Sequence, residues 1–246
     1  MIVQACLNGD HLASYHPNLP TTIEALVNDG RQVINAGASE LHIHVRDEKG
    51  LESLHPDRVD ATIRALRAQL PGTLIGISTG AWIEKDDDRL LAIVDTWKVF
   101  PDYASVNLSE EVAPALFEKL HRLGIGIEAG LARAEDAARL LELGLGRFAL
   151  RILVEVREQV LDRAYAMADE IIAVLGDSEI QKPVLLHGVD ASAWPLLRHA
   201  VESGFSTRIG LEDASILPDG STAKSNLELV AAAVRLARTD AFSRHP

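Results

Sequence analysis

Cysteine is nearly absent from this sequence, since Cys6 is the single one in 246 residues. One cysteine excludes an internal disulfide framework and a zinc finger built on cysteine ligands. Basic residues are also outnumbered, with 24 Lys and Arg against 36 Asp and Glu, which gives a formal net charge of −12. A nucleic acid or an anionic membrane requires a basic face on its partner, so we expect neither as a ligand.

The sequence also lacks a long apolar run. No stretch approaches the roughly 18 residues that a membrane helix requires, and the first residues lack the basic and then apolar pattern of a signal peptide. We therefore expect a soluble cytoplasmic protein. No linker-like stretch of Gly, Ser or Pro divides the chain, so we expect one domain over residues 1–246.

What the sequence does have is a regular alternation of short β-branched runs with longer helical patterns. The runs predict strands near residues 2–8, 39–46, 73–79, 102–107, 125–129, 147–154, 183–187 and 206–211. Thr22 followed by Glu24 predicts the capped start of the first helix, and Ser109 followed by Glu110 predicts that of the fourth. Eight βα units predict parallel strands and a single TIM (β/α)8 barrel. The alternative is a doubly wound open sheet, whose usual GxGxxG or GxxxxGK[ST] signature is missing.

The predicted strands place polar side chains on one face near their ends. Side chains alternate along a strand, so His42, His44 and Arg46 share a face, as do Arg208 and Glu212. The same alternation puts further polar residues on that face: Gln4, Cys6, Asn8, Ser78, Ser105, Asn107, Glu128 and His187. A packed barrel does not need so many, which indicates a polar pocket at the carboxyl ends of the strands.

Two histidines spaced as His-x-His point to a metal ion. On one strand face, His42 and His44 lie about 6.5–7 Å apart, and both imidazoles can reach one ion. The last strand of a closed barrel neighbours the first two, so Glu212 is the best third ligand. Two histidines and one carboxylate leave positions open for substrate. Zinc fits best, Mn, Fe, Co or Ni can use the same ligands, and the alternative is a pair of hydrogen-bonded core histidines.

Asp213 and Arg208 flank this group in sequence. If the last strand continued, Glu212 and Asp213 would not both face inward, so we expect Asp213 to begin the loop over the pocket. There it is either a base, a partner of the base or of a substrate water, or a surface or capping carboxylate. Arg208 requires an anion, either a substrate carboxylate or an internal partner, Glu128 or Glu212.

Two other polar segments have both a functional and a structural interpretation. Arg46 is followed by Asp47 and Glu48, and we favour a structural ion pair with one of them. The second segment follows the third strand and consists of Ser78, Thr79 and Gly80. It either binds a carboxylate through its hydroxyl and loop N–H groups or forms a tight turn.

Four segments together resemble a known family. Residues 42–47 (HIHVRD), 76–80 (GISTG), 104–107 (ASVN) and 208–213 (RIGLED) occur in the order seen in the β-keto acid cleavage enzymes, including the 3-keto-5-aminohexanoate cleavage enzymes. The resemblance spans nearly the whole chain. The HxHxRD and RxGxED pair at this separation is fairly specific, whereas each motif alone is weak.

The resemblance implies a zinc-dependent TIM barrel, a homo-oligomer, that cleaves a β-keto acid by retro-Claisen chemistry. The acyl group is exchanged with acetyl-CoA, giving products of the acetoacetate or acetoacetyl-CoA type. By motif, the metal ligands are His42, His44 and Glu212, and the catalytic residues are Asp213, Arg208 and Glu212. The substrate-binding residues are Ser78, Thr79, Gly80, Ser105, Asn107, Glu128 and His11, where Asp10-His11 replaces a substrate-contacting glutamate of the relatives.

Two other functions fit the same residues. A metal-dependent aldolase or hydrolase would use the same ligands without a thioester. A non-catalytic barrel that binds a metal or a small acid as a sensor or scaffold would need fewer inward polar side chains.

Overall fold

The computed structural model describes residues 1–176 and 178–243, and within them the chain alternates strands with helices throughout. Position 177 and positions 244–246 of the predicted 1–246 domain lie outside the described residues. The strands are β1 Val3–Cys6, β2 Glu40–Ile43, β3 Leu74–Ser78, β4 Tyr103–Asn107, β5 Gly126–Leu131, β6 Arg151–Val156, β7 Val184–Gly188 and β8 Thr207–Ile209. The α-helices are α1 Ile23–Asn35, α2 Pro56–Gln69, α3 Asp87–Val94, α4 Ala113–Arg122, α5 Ala134–Glu142, α6 Leu161–Gly176, α7 Ala193–Ser203 and α8 Asn226–Ser243.

The eight strands form one parallel sheet in the order β7-β6-β5-β4-β3-β2-β1-β8. The two ends of this order meet through a single parallel bridge between Leu185 and Ser206, so the sheet is a nearly closed barrel. The prediction of a TIM barrel is confirmed. None of the described helices is long and apolar enough to cross a membrane.

The apolar core lies between the barrel wall and the helices. Outward-facing residues of the strands, such as Leu41, Ile43, Ile75 and Ile77, are completely buried. Because successive strand residues point to opposite sides, this outward set leaves the polar residues inside the barrel.

The boundaries of several elements differ from the sequence prediction, whereas the cap of α1 agrees with it. Thr22 caps α1 as predicted, since its Oγ1 accepts a hydrogen bond from Ala25 N at 3.1 Å. In contrast, α4 begins at Ala113 after Val112, which makes no side-chain cap, so the predicted cap at Ser109 is wrong. Glu110 Oε1 instead accepts from Asn107 Nδ2 at 2.9 Å and from Ala81 N, in the loop after β3, at 3.1 Å. The sixth strand begins later than predicted because residues 145–148 form a 3-10 turn.

Two buried asparagines join neighbouring strands beyond the end of the regular sheet. Asn8 accepts from His44 N at 2.8 Å and donates to His44 O at 2.9 Å, which extends the pairing of β1 with β2. Asn226 does the same on the other side, because it accepts from Leu211 N at 2.6 Å and donates to Leu7 O at 2.8 Å. Both asparagines therefore fix main chain that carries candidate site residues.

Asn226 also donates to Asp29 of α1, and this contact leads to a prediction about stability. Burial raises the pKa of Asp29 from 3.8 to about 6, although the hydrogen bond from Asn226 opposes the shift. Because the folded-state pKa is raised, the protonated form stabilises the fold at low pH, and this contribution is lost as the pH rises through about 6. We expect Asp29→Asn to raise the free energy of unfolding by about 2 kcal/mol at pH 7.5 and by little near pH 4.

Urea denaturation of the wild-type protein and of Asp29→Asn between about pH 4 and pH 7.5 measures the difference in the free energy of unfolding. Glu170→Gln, which removes one exposed negative charge from α6, is the matched control and should leave stability unchanged. A gain for Asp29→Asn that is the same at both pH values would contradict the assignment of a buried charge.

Candidate active site

A polar cavity opens at the carboxyl ends of the barrel strands. It is lined by Asp10, His11, His42, His44, Ser78, Trp82, Ser105, Asn107, Leu153, Glu155, Arg157, Val189, Arg208, Glu212 and Asp213. Of the residues predicted from sequence, this set brings together both histidines of the HxH motif, His11, the two serines, Asn107 and the three residues of the last strand. Glu128, Thr79 and Gly80 are not part of the lining.

His42, His44 and Glu212 form the cluster that could hold a metal ion. Their potential ligand atoms all lie within 4.8 Å of one another. Glu212 Oε1 is 3.8 Å from His42 Nε2 and 3.6 Å from His44 Nε2. Two tetrahedral ligands each about 2.1 Å from a zinc ion are about 3.4 Å apart. Glu212 Oε2 is buried without a hydrogen-bond partner among the described residues. The donor set therefore fits a zinc ion or a similar divalent cation.

The two imidazoles have opposite electrostatic environments. Burial lowers the pKa of His42 to about 3, so this imidazole is neutral, the form that binds metals. Burial also disfavours a charge on His44, but the carboxylates of Glu212 and Glu52 outweigh it and raise the pKa of His44 to about 9. In the metal-free protein a proton on His44 thus supplies positive charge between two carboxylates.

Glu212 is held closely by the loop that follows β1. Gly9 has a φ of +55°, and a Cβ placed there would lie 2.7 Å from Glu212 Cγ. A side chain at this position is therefore excluded both by the left-handed backbone and by the contact. His11 stacks on Tyr15 with ring centroids 3.8 Å apart, and its Nε2 lies 3.1 Å from Glu212 O. His11 accordingly supports the main chain of Glu212 from the edge of the cavity.

Arg208 lies at the centre of a buried group of carboxylates. Its Nη2 donates to Glu212 Oε1 and to Asp213 Oδ1, both at 2.8 Å, and lies 3.8 Å from Glu155 Oε2. Burial disfavours the charge on Arg208, but Asp213 and the other acids hold its pKa well above the usual value. Of the two partners considered from sequence, Glu212 is confirmed as an internal ion pair.

His187 completes this group by bridging two carboxylates. Its Nδ1 is 3.3 Å from Asp213 Oδ1 and its Nε2 is 3.5 Å from Glu155 Oε2. Burial and Arg208 both disfavour a charge on His187, yet these two carboxylates raise its pKa. Asp213 Oδ2, by contrast, is buried without a hydrogen-bond partner among the described residues. Asp213 thus lines the cavity with one carboxylate oxygen that is not engaged by these groups.

Both acids of the Arg208–Asp213 segment face the cavity, which the sequence prediction excluded only if the strand continued. The strand β8 ends at Ile209, and the chain then turns, with Asp213 N donating to Gly210 O at 2.9 Å. Since the alternation of a strand no longer applies after Ile209, Glu212 and Asp213 both reach inward. Asp213 thus lies in the turn after the last strand, as expected, and its side chain lines the cavity and is only 1% exposed, so it is not a surface carboxylate.

The serines and Asn107 line the part of the cavity formed by β3 and β4, next to β2. Ser78 Oγ accepts from Gly80 N at 3.3 Å, and Asn107 Nδ2 donates to Glu110 Oε1 at 2.9 Å. Thr79 points away from the cavity, and its Oγ1 donates to Ser105 O at 2.7 Å. Thr79 is thus a structural link between β3 and β4 rather than a lining residue.

Glu128 lies one layer below the cavity. It is fully buried and accepts from Arg151 Nε at 2.6 Å and from Gln4 Nε2 at 2.8 Å, within a network that also contains Glu40. The predicted strand ended at residue 129, but β5 continues to Leu131, so the inward position level with the cavity is Gly130. The prediction that Glu128 contacts substrate is therefore contradicted by its position.

Arg46 also has different partners from those expected. Instead of pairing with Asp47 or Glu48, it donates to the carbonyl oxygens of Gly9 and His11, the latter at 3.1 Å. Buried carbonyl oxygens of the loop after β1 require hydrogen-bond donors, and the Arg46 guanidinium supplies them. Arg46 thus stabilises the loop that packs on Glu212.

Several lining residues were not identified from the sequence. Trp82 and Arg157 lie in loops, and no periodicity marks them. Glu52 was also missed, although it contacts His44 Nδ1 at 2.5 Å. The sequence does contain a pattern from which Glu52 could have been identified. The Asp-Glu-Lys-Gly turn at 47–50 predicts a hairpin that returns the chain beside His44.

A parallel (β/α)8 barrel with two histidines and a carboxylate converging at the carboxyl ends of its strands defines a TIM-barrel enzyme with a candidate metal site. A sequence model of one family, described as beta-keto acid cleavage enzyme, matches residues 1–181 and 158–242. The chain therefore belongs to the β-keto acid cleavage enzyme family, which confirms the resemblance seen in the sequence.

Individual relatives agree with this assignment. The chain is 23% identical over 253 residues to the 3-keto-5-aminohexanoate cleavage enzyme of Acetoanaerobium sticklandii, covering 97% of this chain and 92% of that protein. The enzyme of the same name from Fusobacterium nucleatum subsp. nucleatum is 25% identical, with 97% and 91% covered.

The solved structures of ObcA share the fold. Its binary complex with oxaloacetate superposes with a TM-score of 0.69 at 18% identity, covering 89% of this chain and 63% of ObcA. Its ternary complex with a C4-CoA adduct and oxalate gives a TM-score of 0.68 at 18% identity, with the same shares covered. The chain thus spans less than two thirds of the length of ObcA.

Proposed function

We propose that this protein is a zinc-dependent enzyme that cleaves a β-keto acid by exchange with acetyl-CoA. The observation that carries the proposal is the convergence of His42, His44 and Glu212 beside Arg208 and Asp213, in a chain of the β-keto acid cleavage family. The ObcA complex with a C4-CoA adduct supports a CoA ester as co-substrate.

His42, His44 and Glu212 would hold the metal, which when bound supplies a Lewis acid that polarises the β-keto oxygen and chelates the keto acid. The chain's own residues orient this group. Asn8 fixes the main chain of His44, and Arg208 fixes the carboxylate of Glu212.

On the β3 and β4 side of the cavity, Ser78, Ser105 and Asn107 are proposed to bind the carboxylate of the keto acid. Ser78 and Ser105 lie side by side in adjacent strands, since they are partners in the register of β3 and β4. Hydroxyl donors on a partly buried wall pair well with a carboxylate. Because β3 also pairs with β2, the strand that carries His42 and leads into His44, a carboxylate bound here would lie beside the proposed metal ligands.

Asp213 is proposed to take the proton from C2 of the keto acid through its free Oδ2. The C2 carbanion attacks the acetyl carbonyl of acetyl-CoA, and the CoA thiolate leaves. The thiolate adds to the C3 carbonyl, and the C2–C3 bond breaks to give the acyl-CoA and the enolate of acetoacetate, which takes the proton back. Atoms balance, because R–CO–CH₂–COO⁻ and CH₃–CO–S–CoA become R–CO–S–CoA and CH₃–CO–CH₂–COO⁻. Arg208 offsets the negative charge near the base.

A screen of β-keto acids with the zinc-loaded protein tests this proposal, each acid being incubated with and without acetyl-CoA. We expect at least one keto acid to be consumed only with acetyl-CoA, with the acyl-CoA and acetoacetate formed in equal amounts. Equal cleavage without acetyl-CoA would replace the proposal with the aldolase or hydrolase alternative. A protein that retains zinc but cleaves no keto acid would contradict the proposed reaction and leave the metal site standing.

A further inference from the structure

We propose that Glu52 is a positioning residue for His44 and that Trp82 holds Glu52 in place, so that the loop after β3 sets the metal affinity of the site. This inference rests on the metal site of the proposed function. Neither residue belongs to the motifs that identify the family in this sequence.

Glu52 reaches His44 through a hairpin that follows β2. Asp47 Oδ1 accepts from Lys49 N at 2.8 Å and from Leu51 N at 2.9 Å, which closes the turn, and Arg46 forms an antiparallel bridge with Glu52. The Glu52 side chain is 12% exposed, and its Oε1 lies 2.5 Å from His44 Nδ1. With Nδ1 committed to Glu52, only Nε2 of His44 is left to face Glu212 and a metal ion.

Trp82 occupies the second oxygen of the same carboxylate. Its Nε1 donates to Glu52 Oε2 at 2.9 Å, so both oxygens of Glu52 are engaged and the carboxylate has one orientation. The Trp82 ring lies 6.4 Å from that of His44 at an interplanar angle of 26°. Because Trp82 remains 42% exposed, its ring is not enclosed on all sides, and the hydrogen bond from Nε1 to Glu52 fixes the direction of its indole.

The loop that carries Trp82 is itself fixed at two points. Ile83 N donates to Gly80 O at 3.0 Å, and Ala81 N donates to Glu110 Oε1 at 3.1 Å. A Cβ at Gly80 would lie 2.2 Å from the Trp82 ring, so a residue without a side chain is required beneath the indole. The position of Glu52 is thus connected through Trp82 to the loop between β3 and α3.

The other histidine of the cluster lacks such support. His42 Nδ1 is 4.0 Å from Glu128 Oε2, and it has no hydrogen-bond partner among the described residues. A carboxylate on the outer nitrogen of a ligating histidine fixes the ring and raises its basicity. Of the two histidines, His44 is therefore the one whose metal binding is supported by a carboxylate, that of Glu52.

Three variants test the inference through metal affinity rather than turnover: Glu52→Gln, Trp82→Phe and the control Glu48→Gln. Glu48 is an exposed acid of the same hairpin, paired with Arg58. Each metal-free protein is titrated with zinc in competition with a chromophoric chelator, and Co²⁺ is then used to record the visible spectrum of the site. Far-UV circular dichroism and thermal melting of the metal-free proteins check that the fold is unchanged.

We expect Glu52→Gln to raise the zinc Kd about 10- to 100-fold, Trp82→Phe to raise it by a smaller factor, and Glu48→Gln to leave it unchanged. The Co²⁺ spectrum should shift for Glu52→Gln and stay the same for the control. A wild-type Kd in Glu52→Gln would overturn the role of Glu52, and a wild-type Kd in Trp82→Phe would overturn that of Trp82. Failure of the wild-type protein to bind zinc would overturn this inference together with the proposed metal site, whereas zinc binding without keto acid cleavage would overturn only the proposed reaction.

Discussion

Replacing His42 by alanine is expected to remove zinc from the purified protein and to lower kcat by about a thousand-fold or more. His42 is 1% exposed, neutral, and directed with its Nε2 towards Glu212. No other histidine or cysteine can replace it, because His42, His44 and Glu212 are the one group of this kind found among the described residues. Elemental analysis and turnover of the same preparation measure the two effects.

The matched control for this variant is His121→Ala. His121 is an exposed histidine near the end of α4, far from the cavity lining, and its loss should change neither zinc content nor turnover. Circular dichroism should show that His42→Ala keeps its fold, since the imidazole lies in a polar cavity rather than in the apolar core. Full zinc retention by His42→Ala would contradict the proposed site.

Asp213→Asn is expected to lower kcat by about 10²- to 10⁴-fold while zinc content stays the same. Asp213 Oδ1 accepts a hydrogen bond from Arg208 at 2.8 Å, and the amide oxygen of asparagine can replace it. The amide NH₂ group that replaces Oδ2, however, cannot accept a proton. Because the change is almost isosteric, the loss should fall on kcat rather than on KM. Steady-state kinetics with the best keto acid of the screen, and acetyl-CoA, measure both constants.

Asp190→Asn is the matched control for this second variant. Asp190 N donates to Asp213 O at 2.7 Å, so the control makes the same chemical change in a direct neighbour. Its φ of +51° is one that asparagine tolerates well, and we expect wild-type kcat.

His187→Gln separates two roles of Asp213. If His187 were the base and Asp213 only its partner, this variant would lose as much kcat as Asp213→Asn.

The candidate metal ligands could be predicted from the sequence because they depend on regular structure. His42 and His44 follow the alternation of a strand, and the closure of a (β/α)8 barrel brings the last strand beside the first, which in turn pairs with the second. The order of strands follows from eight repeated units, which leave one arrangement with short, right-handed connections. Both inferences use only periodicity and topology.

The remaining parts depend on where a strand ends, which periodicity does not define. Glu128 was placed one layer too high because β5 continues to Leu131, and the direction of the Asp213 side chain could not be derived because β8 stops at Ile209. Side chains of loops, such as Trp82, reach the cavity through turns whose geometry depends on tertiary contacts. These contacts join residues distant in sequence, so a local pattern cannot reveal them.

One nitrogen of the Arg208 guanidinium, Nη2, donates hydrogen bonds to both Glu212 and Asp213. Exchange of the bound ion for a larger one would displace Glu212, and the shared nitrogen would transmit that displacement to Asp213. Under the proposed function, the size of the metal ion would therefore affect the position of the proposed base as well as that of its ligand.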